Sequence, residues 1–137
     1  MNAANRQKWR DALPVVQRIA DALGDEEVGA SGLCNACRYA DWSYNDEPRC
    51  EHPIVVTRGD LDLADAVWSA GDCCWFRPRE NTPRIWADDM LVTLAERACN
   101  RADDSTEDGN GLSAESWNDL DARLTAQGET IIREAGL

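Results

Sequence analysis

The sequence predicts a mostly helical protein with an inserted zinc knuckle and one or two short β-strands. Three observations carry this prediction. Apolar residues recur at helical spacing in three separate stretches, and four cysteines between residues 34 and 73 have the spacing of one tetrahedral metal site. The clearest β-branched run is confined to a few residues, so any sheet should be small.

The 137 residues are enough for one compact core and too few for two well-packed domains. We therefore predict a single domain, 1–137, in three parts. They are an N-terminal helix in 1–30, a zinc-binding insert in 31–80 and an acidic helical hairpin in 81–137.

The first helix is predicted over residues 3–23, with Gly24 ending it. Proline cannot donate to the helical ladder and clashes with the preceding turn, so Pro14 predicts a kink or a fresh start near Asp11. The apolar stripe consists of Trp9, Leu13, Val16, Ile19, Ala20 and Leu23.

Within the insert, residues 53–57 are β-branched and predict one strand. Residues 60–70 predict a short helix that stops at Gly71, immediately before the last cysteines.

Two longer helices follow the insert. Thr82 supplies a capping hydroxyl and Pro83 a favourable first turn, so a helix should run to about Ala102. The polar run 103–111 breaks it, and Ser113 should cap the last helix. The expected apolar stripes are Met90, Leu91, Leu94, Ala95 and Ala98 on one helix and Trp117, Leu120, Leu124 and Ile131 on the other. Gly128 should cost the last helix about 1 kcal/mol relative to alanine.

Four cysteines predict a metal centre. A Cys-x2-Cys pair lets two thiolates converge from a tight turn, and two later cysteines can complete the four-thiolate shell that structural zinc prefers. The predicted ligands are Cys34, Cys37, Cys50 and Cys73. The same thiolates could hold an iron–sulfur cluster, which is the alternative cofactor.

Other residues compete for places in that shell. Cys74 could replace its neighbour, although adjacent side chains in an extended segment point in opposite directions. His52, the single histidine, could bind the metal or donate a hydrogen bond to a thiolate. Cys99 should pack as a small apolar residue. An open catalytic zinc beside Glu51 and His52 is a further alternative, but the usual histidine-rich ligand set is missing.

A second, weaker metal motif lies between the last two predicted helices. Asp104, Thr106, Asp108 and Glu115 occupy calcium-ligand positions of an EF-hand loop, with Gly109 at its turn. The competing interpretation is an acidic turn that serves the start of the last helix.

The net charge is −12, and residues 85–137 contribute −8 of it. Such a surface repels nucleic-acid and membrane phosphates and attracts a basic protein. We therefore predict a basic protein or nucleoprotein partner, without direct nucleic-acid or membrane binding. The N-terminus shows no apolar signal segment, which predicts a cytoplasmic location. The candidate binding residues are Trp42 and Tyr44 in the loop between cysteines and Asp119 and Asp121 in the last helix.

The cysteine frame resembles that of small cysteine-rich, zinc-binding proteins of phages and prophages. The likeness covers residues 33–78 and consists of Cys34-x-x-Cys37-x-Tyr39, Cys50-x-His52-Pro53 and Gly71-Asp72-Cys73-x-x-Phe76-x-Pro78. It implies that these four cysteines bind zinc in a phage or bacterial setting. In that group a tryptophan commonly follows the last cysteine, whereas here Cys74 takes that place and the tryptophan is Trp75.

Phages often carry small acidic proteins that disable host machinery. The expected function is therefore non-enzymatic binding to a basic surface of a nucleic-acid-handling protein, as an inhibitor of host defence of the anti-CRISPR type. The alternatives are an iron–sulfur or zinc metalloenzyme that uses the same cysteines, and an accessory transcription factor that reads DNA through Arg77, Arg79 and Arg84.

Overall fold

A computed structural model of the chain describes residues 3–25, 36–41, 49–50 and 76–137. These residues form three helices and two very short strands: α1 (Ala3–Ala22), β1 (Ala40–Asp41), β2 (Arg49–Cys50), α2 (Pro83–Asp104) and α3 (Ala114–Glu134). The prediction of a mostly helical protein is confirmed. The predicted strand at 53–57 and the short helix at 60–70 lie outside the described residues.

The chain forms two compact units. The first contains Met1–Leu13 and Gly29–Trp86, and the second contains Pro14–Val28 and Ala87–Leu137. None of the helices that the structure describes is long and apolar enough to cross a membrane.

Helix α1 runs through Pro14 without a break. The predicted fresh start near Asp11 is therefore wrong, while the alternative of a kink at Pro14 stays a prediction. A proline removes only one donor from the helical ladder, and residues on both sides of it are buried: Ala12, Val15, Val16 and Ile19 are all at most 6% exposed. Burial of apolar surface along the helix outweighs this local cost.

Helix α1 ends where Gly24 predicts that it should. Gly24 has a φ of 75°, the left-handed conformation that glycine adopts without steric penalty. The Asp25 N–H donates to the Ala20 carbonyl at 2.9 Å, and the Gly24 N–H donates to the Asp21 carbonyl at 3.3 Å. These two bonds form a Schellman motif, which satisfies carbonyls that the helix end leaves without partners.

Helix α2 starts as its capping residues predict. The Ile85 N–H donates to the Thr82 hydroxyl at 3.2 Å, so Thr82 is the cap and Pro83 occupies the first turn. The helix continues two residues beyond Ala102. Its buried face contains Trp86, Ala87, Leu91, Leu94, Ala95, Ala98 and Cys99.

Helix α3 is capped by Ser113, whose hydroxyl accepts a hydrogen bond from the Ser116 N–H at 3.1 Å. Its predicted stripe of Trp117, Leu120, Leu124 and Ile131 is only half-buried. The buried positions of α3 are Gly128 and Ile132.

Gly128 lies against the Leu91 side chain, at a contact between α2 and α3. A Cβ atom at this position would lie 2.9 Å from Leu91 Cδ2 and closer still to Cδ1. The glycine therefore lets the two helices approach at a point where a methyl group would not fit. The helix-propensity cost expected from the sequence is offset by this packing.

The core of the first unit is aromatic. The Trp9 ring lies 5.9 Å from Phe76 in an edge-on arrangement and 6.1 Å from Trp86. All three residues are at most 3% exposed. Aromatic pairs at these separations add about 0.5–1.5 kcal/mol each beyond their burial, so this cluster fixes the start of α2 against the N-terminal half of α1.

Candidate metal centre

Main-chain pairing joins the segment around Cys37 to the segment that follows the last cysteines in sequence. Cys37 and Pro78 form an isolated antiparallel bridge. The Arg38 N–H donates to the Arg77 carbonyl at 2.8 Å, and the Arg79 N–H donates to the Ala36 carbonyl at 2.9 Å. Phe76 begins this second segment three residues after Cys73 in the chain.

A second pairing brings in Cys50. Strands β1 and β2 are antiparallel, with Ala40 opposite Cys50 and Asp41 opposite Arg49. Paired residues have Cα atoms about 4.5–5.5 Å apart. Cys50 is therefore one strand spacing from Ala40, which follows Cys37 by three residues.

The two pairings bring three parts of the predicted knuckle into one place. A tetrahedral thiolate site needs its ligands to converge from distant points of the chain, because each Zn–S bond is only about 2.3 Å long. The pairings place the main chain of Cys50 beside Ala40, in the segment that contains Cys37. The complete ligand set stays a prediction, since the side chains of Cys34, Cys50, Cys73, Cys74 and His52 lie outside the described residues.

Cys37 itself is well placed for a structural ligand. It is a free thiol that is 7% exposed, and its neighbour Ala36 is fully buried. The Arg79 guanidinium donates from Nε to the Cys37 carbonyl at 3.1 Å. This bond holds the Cys37 main chain to the opposite segment by a side-chain contact that no sequence pattern signalled.

Trp42, Tyr44 and Glu51, which are predicted near the metal, lie outside the described residues. In the part of the chain that the structure describes, no group of three or more His, Cys, Asp or Glu side chains could hold a metal ion.

The loop proposed for calcium is held by its own hydrogen bonds. Asp104 lies in the last turn of α2, and Glu115 is exposed in the first turn of α3. The Thr106 hydroxyl accepts from the Gly111 N–H at 2.9 Å, and Asp108 Oδ1 accepts from the Asn110 N–H at 3.0 Å. Asp104, Asp108 and Glu115 are all among the described residues, and the structure does not bring them together as a group that could hold a metal ion.

Asp103 is the principal residue of this loop, and the sequence did not single it out. Its Oδ1 accepts from the Leu112 N–H at 2.6 Å, while its carbonyl accepts from the Thr106 hydroxyl at 3.3 Å. Asp103 bonds Thr106 through its main-chain carbonyl and Leu112 through its carboxylate, and these two bonds hold the connection between α2 and α3. The acidic character of Asp103 thus has a structural use.

The two candidate binding aspartates of α3 have different surroundings. Asp119 is exposed, as a residue that contacts a partner should be, whereas Asp121 is half-buried. Burial raises the pKa of the Cys99 thiol, and the nearby Asp121 carboxylate raises it further. Cys99 is fully buried, which confirms its predicted role as a packing residue.

Asp25 and two arginines of α2 form an ion-pair cluster that sequence analysis missed. Asp25 Oδ2 lies 3.4 Å from Arg97 Nε and 3.3 Å from Arg101 NH1. Arg101 also donates from NH2 to the Leu23 carbonyl at 2.9 Å. The four-residue interval between the arginines places both on one face of α2, which is the only hint that the sequence contains.

We compared the chain with protein-family models, curated proteins and solved structures, and none of them matches.

Proposed function

We propose that the chain is a non-enzymatic, zinc-stabilised acidic protein whose C-terminal helices bind a basic surface of a nucleic-acid-handling protein. In a phage setting this binding would inhibit host defence in the manner of an anti-CRISPR. The observation that carries the proposal is the charge of the second unit, considered together with the ion pairs of Asp25.

The acidic residues of this unit face solvent. Residues 87–137 contain twelve acidic side chains and four arginines. Nine of the twelve acidic residues are exposed. They are Asp89, Glu96, Asp104, Glu107, Asp108, Glu115, Asp119, Glu129 and Glu134.

The arginines do little to neutralise that surface. Arg97 and Arg101, half of the four, are engaged by the buried Asp25. Arg123 and Arg133 are left on α3 to offset the acidic residues of the hairpin. A rigid surface with this excess of carboxylates supports attraction of a basic partner and discrimination against nucleic acid.

The predicted zinc knuckle has a structural role in this proposal. The buried Cys37 and the aromatic cluster of Trp9, Phe76 and Trp86 belong to one unit, in which the metal would add stability that the small core lacks. The carboxylates that attract the partner belong to the other unit.

The test is a charge-reversal pull-down from nuclease-treated bacterial lysate at about 0.15 M salt, where the Debye length is about 8 Å. The variant is the double substitution Asp119→Arg and Glu129→Arg. The matched control is Asp11→Arg and Asp21→Arg, which changes the net charge equally at exposed positions of α1.

The proposal predicts that wild-type protein captures a basic, nucleic-acid-handling protein. The α3 variant should lose it and the α1 variant should retain it. If no basic protein is captured, or if both variants bind alike, the acidic hairpin is not the binding surface.

A further inference from the structure

Three arginines from two segments that are far apart in sequence meet at the bridge between Cys37 and Pro78. The Arg38 N–H donates to the Arg77 carbonyl at 2.8 Å, so these two residues lie opposite each other. Arg79 follows two residues later and is bonded to the Ala36 carbonyl at 2.9 Å. All three residues are exposed. We call them the arginine face.

This concentration of positive charge opposes the charge of the chain as a whole. The chain has 26 acidic and 14 basic residues. Among the side chains that the structure describes in 36–39 and 76–86, however, there are four arginines and one acidic residue, Glu80. Like charges directly opposite each other on paired segments destabilise the pairing. Binding of an anion would remove that cost.

The arginine face is built on a fixed main chain. Ala36, Cys37 and Phe76 are all buried. Arg79 donates from Nε to the Cys37 carbonyl at 3.1 Å, and Arg77 donates from NH1 to the Phe76 carbonyl at 2.8 Å. A guanidinium has five N–H donors in a planar fork, and the main-chain bond of Arg77 orients that group while using one of them. Such groups lose little conformational entropy when they bind an anion.

Arginine forks recognise phosphate oxygens in a bidentate manner. The arginine face has three guanidinium groups within a few residues of main chain. A ligand that binds all three must therefore have closely spaced anionic groups. A nucleic-acid backbone provides one phosphate at every nucleotide, whereas a peptide would need consecutive acidic side chains. Tyr39, next to Arg38, is half-buried and adds an aromatic ring of the type on which unpaired bases stack.

We infer that Arg38, Arg77 and Arg79 bind the phosphate backbone of a nucleic acid. This inference goes beyond the proposed function, which assigns a basic protein to the acidic hairpin. It also restricts the prediction, made from the net charge, that the chain does not bind nucleic acid. Salt screens charges that are more than about 8–10 Å apart, so the charges close to a surface decide whether it attracts phosphates. The chain would then have one surface for protein and another for nucleic acid.

The test is fluorescence anisotropy with a labelled single-stranded oligonucleotide and the matching duplex, titrated with zinc-loaded full-length protein at several salt concentrations. The test variant is Arg38→Gln with Arg77→Gln. The matched control is Arg18→Gln with Arg123→Gln, which removes the same charge from exposed positions of the other unit. A second variant, Arg38→Lys with Arg77→Lys, keeps the charge.

We expect the wild-type protein to bind one or both oligonucleotides. The glutamine variant at the arginine face should bind about tenfold more weakly, and its salt dependence should fall by about two phosphate contacts. The control should change the affinity less than twofold, and the lysine variant should keep the wild-type salt slope.

Three results would overturn the inference: no binding at low salt, equal losses in both glutamine variants, or equally tight binding of labelled polyglutamate. A glutamine variant whose far-ultraviolet circular dichroism differs from wild type is replaced by the lysine variant, which should keep the salt slope but bind more weakly because lysine cannot make the bidentate contact; unchanged affinity in the lysine variant would then overturn the inference. Asp119→Arg with Glu129→Arg leaves the arginine face intact. This variant should therefore bind the oligonucleotide like wild type even if the acidic hairpin binds no protein, so the inference and the proposed function can fail separately.

Discussion

Asp25 is buried at the end of α1, and its carboxylate lies 3.3 Å from NH1 of Arg101, 76 positions further along the chain. The ion pair is asymmetric. The Asp25 side chain is 1% exposed, whereas that of Arg101 is 45% exposed and that of Arg97 is 35% exposed. Replacing the aspartate and replacing the arginines should therefore lower the free energy of unfolding by different amounts.

Replacement of both arginines should destabilise the protein more than replacement of the aspartate. Arg97→Gln with Arg101→Gln leaves a buried carboxylate with weak partners and should cost about 3 kcal/mol. Asp25→Asn leaves two arginines that water can solvate and should cost about 1–2 kcal/mol. Urea denaturation followed by circular dichroism gives both values. Asp21→Asn, at an exposed position, serves as the control and should change stability by less than about 0.5 kcal/mol.

Gly128→Ala should destabilise the hairpin although alanine is the better helix former. The gain in propensity is about 1 kcal/mol. The methyl group would collide with Leu91, and overpacking of this kind costs about 1–3 kcal/mol. We expect a net loss in the free energy of unfolding, measured by urea denaturation.

Two further variants isolate the cause of that loss. Gln127→Ala, at the exposed neighbouring position, should be close to neutral. Adding Leu91→Ala to Gly128→Ala should cost less than Leu91→Ala alone in the wild-type background. Additive effects would show that the two residues do not compete for the same space.

Cys99 should make stability fall at alkaline pH. Its pKa in the folded protein is raised by burial and by Asp121. The unfolded protein therefore releases the thiol proton at lower pH than the folded one, and unfolding becomes favoured as the pH rises above the ordinary thiol value. The stability that Cys99 contributes is fully present below that value and is lost as the pH passes through the raised pKa.

The comparison of wild type with Cys99→Ala measures this effect, because the other cysteines titrate in both proteins. The difference in unfolding free energy should be constant at neutral pH and should shift against the wild type at alkaline pH. Asp121→Asn should weaken that shift. A difference that stays constant through the alkaline range would contradict the assigned pKa direction.

Metal content should depend on Cys37 and not on Cys99. Protein purified anaerobically without chelator should contain one zinc per chain by mass spectrometry of the metal. Cys37→Ser should reduce the zinc content strongly, because a four-thiolate shell would lose one ligand. Cys99→Ser should retain it. Iron with sulfide in place of zinc would make the cluster alternative the leading one.

The helices and their caps could be predicted because their causes are local. Thr82 and Ser113 mark helix starts by hydroxyl groups that reach nearby N–H donors, and Gly24 marks an end by its left-handed conformation. The expected fresh start before Pro14 failed because burial on both sides overrides one lost hydrogen bond. That competition depends on tertiary packing, which a local rule does not contain.

The residues that sequence analysis missed all act over a distance. Asp25 pairs with α2, Gly128 accommodates Leu91, and Asp103 bonds the far end of a loop. In the sequence, Asp25 is only an acidic residue after a helix, Gly128 is a poor helix former and Asp103 is one of several acidic residues in a row. For the metal centre, the spacing of the cysteines predicts a four-thiolate site that stays a prediction, while the bond from Arg79 to the Cys37 carbonyl carried no sequence signature.

The glycine contact between α2 and α3 has a consequence for selectivity. The Leu91 side chain of α2 packs directly on the Gly128 position of α3 and leaves little room for adjustment. The carboxylates of α3 therefore keep a set pattern, with Glu115 and Asp119 about 6 Å apart along the helix axis. A disordered acidic tail would adapt to any cationic surface and lose entropy in doing so. If the hairpin binds a basic protein as proposed, its fixed pattern would favour partners whose cations have a matching spacing over equally basic proteins whose cations do not.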